Sequence, residues 1–118
     1  MTEFTLQESA SLKELVLNHE RKRENMTRMI VVCTGDASAR FDRDYYANDH
    51  FELARACWEE CGLQSVEAFF PYSEAGNWKS IGVYTFSSAQ GVYDALKSPK
   101  IQQVMDDVKN FTGAWRYR

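Results

Sequence analysis

The residues best suited to chemistry fall within one short stretch, 41–50, which contains two adjacent tyrosines, three aspartates and one histidine. His50 is one of two histidines in the chain, and a neutral imidazole can accept or donate a proton near pH 7. Tyr46 precedes it by four residues, so a helix would place both side chains on one face. The spacing predicts an acid–base group, His50, with Tyr46 as its hydrogen-bonding helper. It also fits a structural pair, in which His50 bonds a backbone carbonyl and Tyr46 fills the core.

The other polar side chains of this stretch are expected to act indirectly. Asp42 or Asp44 can serve as the N-cap of the helix, because a short carboxylate accepts hydrogen bonds from the free amides of the first turn. Asp49 adjoins His50 and does not share its face, which argues against an Asp–His dyad from these two residues. Tyr45 lies about 100° around the helix from the next tyrosine. We expect it to pack or to lie in an interface, and we keep it as a candidate substrate contact.

Aromatic residues concentrate along the predicted sheet. Ligand pockets are mostly apolar and aromatic with few polar groups, so some of these residues can line one. Tyr84 is the strongest candidate, because its hydroxyl needs a partner when buried, and Phe69 and Phe86 are further candidate substrate contacts. A core or a dimer seam would use the same residues. The full set is Phe69, Phe70, Tyr72, Trp78, Tyr84, Phe86 and Trp115.

No metal and no cofactor are predicted. A metal site needs two or three converging histidine, cysteine or carboxylate ligands. Cys57 lies seven residues beyond His50 on the same predicted helix, which separates them by over ~10 Å of helical rise. Cys33, Cys57 and Cys61 form no CxxC pair and are expected to be free thiols in a reducing cytoplasm. GxGxxG, Walker and GxSxG motifs are absent from the sequence, which argues against nucleotide-binding and serine-hydrolase functions.

Composition indicates an ordinary soluble domain. The 118 residues fit a single domain, with 44% apolar and 26% charged residues. The net charge of −3 and the pI of about 5.4 argue against a nucleic-acid partner, which selects a basic surface. No stretch approaches the roughly 20 apolar residues of a membrane span, and the N-terminus lacks the features of a secretory signal. We therefore expect a cytoplasmic protein with no membrane partner.

Hydrophobic periodicity predicts the elements that must position His50. Residues 29–34 are nearly continuously apolar, which predicts a central strand covered on both faces. A helix is predicted over 43–61, with Gly62 as the C′ residue that ends it. Two more strands are predicted over 63–70 and 78–86, and the latter alternates between two faces that both carry apolar groups.

Two more helices and a strand complete the main domain, 28–118. Ser87 or Ser88 is expected to cap the first of these helices. Its inner side is predicted to carry Ala89, Val92, Tyr93 and Leu96. Pro99 then starts a short helix over 100–108, and 112–118 is the last strand. Residues 1–27 are predicted to form an N-terminal helical extension, with its helix over 12–25.

The order strand, helix, strand, strand, helix, strand is that of the split βαβ, or ferredoxin-like, fold. This fold class is α+β, with a four-stranded antiparallel sheet and helices on one face. The opposite face carries large apolar residues in this chain and needs a cover. We therefore expect two copies to pack sheet to sheet as a homodimer.

Three stretches resemble the EthD family of dimeric α/β-barrel proteins. Residues 39–50, ARFDRDYYANDH, are similar to the family's aspartate-Tyr-Tyr-x-x-x-His opening of helix 1. Residues 84–99, YTFSSAQGVYDALKSP, are similar to its passage from strand 3 to helix 2. Residues 104–112, VMDDVKNFT, look like the D-V-x-N-F-T stretch before the final strand. The resemblance covers residues 28 to about 114 in the right order.

The resemblance implies a dimeric α/β barrel and puts the family's Tyr-x-x-x-His spacing on Tyr46 and His50. The family is named for a protein encoded beside a cytochrome P450 system that degrades fuel ethers. Related dimeric α/β barrels include cofactor-free quinone-forming monooxygenases, polyketide cyclases, muconolactone isomerases and haem-binding chlorite dismutases. The fold therefore does not choose the reaction.

Two functional hypotheses follow. The first is an enzyme or accessory protein of catabolic or secondary metabolism, in which His50 performs acid–base chemistry on a small apolar or aromatic molecule. Cofactor-free oxidation, isomerisation and cyclisation all fit this chemistry. The second is a non-catalytic dimer that binds a hydrophobic ligand or serves in stress. An open cavity at His50 would favour the first hypothesis, and a tightly packed His50 the second.

Overall fold

Three strands form an antiparallel sheet in the computed structural model of the protein, which describes residues 26–73 and 75–113. The strands are β1 (Thr27–Thr34), β2 (Leu63–Phe69) and β3 (Trp78–Phe86), and β3 lies between the other two. The strand over 78–86 is confirmed in full, and the other two begin or end within two residues of their predicted bounds. The predicted N-terminal helix and residues 114–118 of the predicted last strand lie outside the described residues.

The sheet has one covered face and one bare face. Along β1, half-buried residues alternate with exposed ones, and Ile30 and Val32 are 61% and 52% exposed. The prediction that this strand is covered on both faces is wrong for the chain by itself, because the described helices pack on one face only. Within the described sheet, β3 rather than β1 has a neighbour on each side.

The helix predicted over 43–61 is present, but it is not uniform. It consists of α1 (Arg43–Tyr45), a π-helical turn (Tyr46–His50), α2 (Phe51–Trp58) and a 3₁₀ turn (Glu59–Cys61). Asp42 is the N-cap and accepts a hydrogen bond from the Tyr45 amide at 3.0 Å. The alternative cap, Asp44, lies in the first turn and is exposed. Gly62 ends the helix with φ of 90°, a conformation that glycine adopts without steric cost.

Two shorter helices, α3 (Ala89–Lys97) and α4 (Ile101–Asp107), pack on the same face of the sheet, and a 3₁₀ turn (Val108–Asn110) follows them. Ser88 caps α3, which confirms one of the two predicted N-cap residues. The predicted inner side of α3 is confirmed only at Val92, which packs against the core. Ala89, Tyr93 and Leu96 are exposed, and the buried residues are Gly91 and Ala95. The reason is close packing. A Cβ at Gly91 would collide with the carbonyl oxygen of Cys61.

A short antiparallel contact joins the start of the His50 helix to the end of the described chain. Phe41 and Thr112 form an isolated β-bridge. The Asp42 amide donates to the Phe111 carbonyl at 2.8 Å, and the Thr112 hydroxyl donates to the Arg40 carbonyl at 2.9 Å. These bonds fix the first turn of the helix against the segment that follows α4.

The core lies between the covered face of the sheet and the helices, and it is rich in aromatic rings. The Tyr46 ring lies 4.7 Å from that of Phe51, and the Trp58 ring lies 5.6 Å from that of Tyr84. Aromatic pairs at such distances add to the free energy gained by burial. Within residues 26–73 and 75–113, no helix is both long enough and apolar enough to cross a membrane.

Candidate active site

The π-helical turn places His50 in the core. Its wider spiral brings the Phe51 amide to the carbonyl of Tyr46, five residues earlier. Tyr46 and His50 are both buried, and their rings lie nearly parallel, 14° apart in orientation and 5.8 Å between centroids. Such turns inside helices occur frequently at functional sites. The sequence predicted the shared face of these two residues but not the π turn that sets their distance.

His50 forms a dyad with Asp107, a residue that sequence reasoning did not assign to the site. His50 Nδ1 lies 2.9 Å from Asp107 Oδ2. The other carboxylate oxygen accepts from the Tyr45 hydroxyl at 2.6 Å and from Asn110 Nδ2 at 2.9 Å. Three donors therefore converge on one carboxylate and fix its position beside the imidazole.

The hydrogen bonds define the protonation state of the dyad. Burial acts to raise the pKa of Asp107, but the bonds from Tyr45, Asn110 and His50 outweigh it and hold that pKa below its ordinary value. Burial also lowers the pKa of His50, although Asp107 acts in the opposite direction. A neutral imidazole next to a carboxylate carries its proton on Nδ1, since the carboxylate can only accept. The basic lone pair is then on Nε2.

Apolar rings enclose the dyad on the protein side. The ring of Phe111 lies 4.6 Å from that of His50 and 4.9 Å from that of Tyr46. Phe41 packs on both Tyr46 and Phe111. These rings withdraw the imidazole from water, which explains the direction of its pKa shift.

A cavity of about 630 Å³ opens beside His50. This volume lies within the range of natural ligand pockets. Its polar boundary includes His50, Cys33 and Thr112. The rest of the wall includes the aromatic rings of Tyr46, Trp58, Tyr84 and Phe111. It also includes aliphatic side chains of β1, α3, α4 and the 3₁₀ turn after α4, which are Met29, Val31, Leu96, Ile101, Val104, Met105 and Val108.

The ring of Tyr46 lines the site, while its hydroxyl points toward the sheet. No hydrogen bond joins Tyr46 to His50, and the buried hydroxyl has no partner of good geometry. Its oxygen lies so close to Gly82 that a Cβ there would collide with it. Burial raises the pKa of Tyr46 to about 12, with smaller effects from the nearby Ser80 and Cys33. Tyr46 is thus a neutral phenol packed over β3.

The structure brings only some of the predicted substrate contacts to the cavity. Tyr84 lines it and is 3% exposed, and burial raises the pKa of its hydroxyl. Phe86 is fully buried in the core behind the cavity, against Trp58. Phe69 is 50% exposed and lies on the bare face of the sheet. Tyr45 supports Asp107 and is not among the residues that line the cavity.

Asp107 and Phe111 belong to the 104–112 stretch, whose resemblance to a family motif predicts the fold but assigns neither residue to the site. Asp44 and Asp49, the aspartates near His50 in sequence, are exposed in the structure. One signal could have found Asp107. It is a carboxylate at the end of a short helix, next to the apolar Val108.

The cysteines and carboxylates of the described chain form no metal site. Cys33, Cys57 and Cys61 are free thiols, and burial raises the pKa of each. Across residues 26–73 and 75–113, no group of three or more His, Cys, Asp or Glu is placed to hold a metal ion.

Comparison with known proteins supports the fold. The crystal structure of an EthD-like protein from Ralstonia eutropha JMP134 matches this chain with a TM-score of 0.64 and 20% sequence identity. The match covers 75% of this chain and 83% of the other. No protein-family model matches the chain, and no curated protein matches it significantly. The predicted resemblance to EthD-like proteins is confirmed at the level of the fold.

Proposed function

We propose that the protein is an acid–base enzyme of the EthD-like kind, in which His50 moves a proton to or from a small apolar molecule bound in the adjacent cavity. The observation that carries this proposal is the 2.9 Å contact between His50 Nδ1 and Asp107 Oδ2 at the wall of that cavity. A buried histidine oriented by a carboxylate and bordering a cavity has the arrangement of a general base.

In this proposal, His50 Nε2 accepts a proton from an acidic C–H or O–H of the substrate. The imidazole becomes positively charged, and Asp107 stabilises that charge across the existing hydrogen bond. Tyr45 and Asn110 keep the carboxylate in place, so little reorganisation accompanies proton transfer. The protonated His50 then returns its proton to another position of the substrate or to the product.

Carbanion and enolate chemistry is the reaction class that this proton transfer serves. Isomerisation and aldol-type cyclisation need only the removal and return of a proton. Oxygenation without a cofactor would need molecular oxygen as the oxidant of the deprotonated substrate. His50 and Asp107 supply the base in all three cases, and we propose that no cofactor takes part. We also propose that the protein serves catabolic or secondary metabolism.

The bare face of the sheet supports the proposal of a homodimer. Ile30, Val32 and Phe69 are between 50% and 61% exposed on this face, and the half-buried Ile81 and Val83 lie between them. An exposed apolar patch of this kind on a sheet calls for a partner. A second copy packed on this face would form the dimeric α/β barrel, with residues 112–118 as the fourth strand of each sheet. The three free cysteines fit a reducing cytoplasm.

A binding protein without catalysis is the second candidate, and one observation favours it. The Tyr46 hydroxyl is turned toward β3 and has no hydrogen bond to His50, so the histidine lacks the helper that the spacing predicted. In this case, the dyad would be a structural bond and the cavity a carrier site for a hydrophobic molecule.

Proton exchange separates the two functions. We would incubate small carbon acids with the protein in D₂O and follow the loss of their exchangeable C–H signals by NMR. An enzyme exchanges a bound carbon acid faster than buffer does, and His50→Gln removes about a hundredfold or more of this acceleration. A carrier binds the same compounds equally well in both forms and accelerates exchange in neither.

A further inference from the structure

The cavity beside His50 is long and has two chemically different ends. Met29, Val31 and Cys33 line it from β1, since alternate residues of a strand project to one face. Cys33 pairs with Ser80, next to Tyr46, and therefore marks the end near the dyad. From Cys33 to Met29 the strand rises by about 13 Å. The cavity therefore extends well beyond the space that the dyad itself requires.

The wall formed by α4 runs in the same direction. Asp107, at the C-terminal end of this helix, bonds His50. Ile101, at its start, lies about 9 Å away along the helix axis and lines the cavity together with Val104 and Met105. Polar groups thus lie at the His50 end, and aliphatic side chains cover the rest of this wall.

The length of these walls, about 13 Å along β1, suits a flexible chain better than a single flat ring. Unbranched methionines adapt to ligands of irregular shape, and Met29 and Met105 both line the cavity, as do the rings of Trp58 and Tyr84. The aliphatic Leu96 also lines the cavity and is 49% exposed. A chain can therefore enter or leave beside Leu96.

Resting on the acid–base function proposed above, we infer that the substrate is an aliphatic chain joined to an acidic carbonyl head. The head lies at His50, and the chain lies along β1 and α4. Each methylene that enters this wall leaves water, which tightens binding about fourfold. The chain supplies the affinity, and the dyad acts on the head.

Chain length tests this inference. Acetylacetone is the shortest probe, its homologues with butyl, hexyl and octyl chains are the longer ones, and benzoylacetone is the aromatic counterpart. Isothermal titration calorimetry should show that affinity rises at least about tenfold from acetylacetone to the hexyl homologue. That homologue should also bind more tightly than benzoylacetone. The inference is overturned if affinity does not depend on chain length, if benzoylacetone binds most tightly, or if no alkyl homologue binds.

Variants of α4 locate the chain. Met105→Trp and Ile101→Trp should each weaken binding of the hexyl homologue by at least about tenfold and leave acetylacetone unchanged. Gln102→Trp, on the exposed side of the same helix, should change neither. Equal loss for both probes would place the chain elsewhere and contradict the inference. The acid–base function is judged separately, by exchange of acetylacetone with and without His50→Gln, so either proposal can fail alone.

Discussion

Asp107 Oδ2 lies 2.9 Å from His50 Nδ1, although 57 residues separate them in the chain. The contact depends on the hydrogen bond from the Asp42 amide to the Phe111 carbonyl, which fixes the start of the His50 helix against the segment after α4. It also depends on the π turn, which sets the position of the imidazole. These features give a histidine otherwise surrounded by aromatic rings one charged partner.

Replacing Asp107 by asparagine should abolish most of the activity. An amide beside Nδ1 can donate its own hydrogen, which favours the tautomer with the proton on Nε2 and removes the basic lone pair. We expect kcat/KM to fall about a hundredfold or more. NMR should also show that the pKa of His50 falls further in the variant, because the Asp107 carboxylate of the parent protein acts to raise this pKa.

Asp106→Asn is the matched control, since Asp106 is exposed and bonds only its helix neighbour Gln102 in the described hydrogen bonds. It should retain full activity. Equal activities of the two variants would show that Asp107 has no role beyond structure.

Tyr45→Phe should destabilise the protein moderately. The substitution removes the 2.6 Å hydrogen bond from the phenol to Asp107. A hydrogen bond to a charged group stabilises the folded chain more than one between neutral groups. Urea denaturation should show a loss of unfolding free energy clearly larger than that of the control below, and the pKa of Asp107 should rise. Tyr72→Phe, at a fully exposed position, should leave the unfolding free energy within about 0.5 kcal/mol of the parent.

Stability should decrease in mild acid. Burial, partly opposed by Asp107, leaves the pKa of His50 below its ordinary value of about 6.5. Below pH 6.5 or so, the unfolded chain binds a proton that the folded chain resists. The free energy of unfolding should therefore be greatest above this pH and fall as the pH drops through the folded-state pKa. Urea titrations at several pH values should show this dependence, and it should be weaker in His50→Gln.

The bare face of the sheet predicts the effect of a charge on assembly. Ile30→Lys places an ammonium group in the proposed dimer interface, so sedimentation should report a monomer at concentrations where the parent is a dimer. Tyr93→Lys is the control, because Tyr93 is equally exposed, at 61%, but lies on α3. A parent protein that is itself monomeric at micromolar concentration would contradict the dimer.

Local signals in the sequence were sufficient for most elements. The helix over 43–61 follows from its cap, its periodicity and Gly62, and β3 follows from its strict alternation. Apart from Val92, the inner face of α3 is not predicted, because Gly91 and Ala95 carry little hydrophobic signal. Their small size is what lets this helix approach Cys61 closely.

The site was only half predictable for a different reason. His50 and Tyr46 share one helix, so their relation follows from spacing. Asp107 meets His50 only through tertiary packing, and no periodicity within either segment encodes that contact. The sequence pattern also does not predict the direction of the Tyr46 hydroxyl, because that direction is set by the space above Gly82 on β3.

The central claim is that neutral His50 is the base, and one comparison tests it most directly. The pH dependence of proton exchange into bound acetylacetone can be set against the pKa of His50 measured by NMR, with His50→Gln used to assign the signal. We predict that the rate rises with pH through a single ionisation below about 6.5, and that this ionisation coincides with the pKa of His50. A rate that does not vary with pH across this range, or that follows another group, would contradict the account.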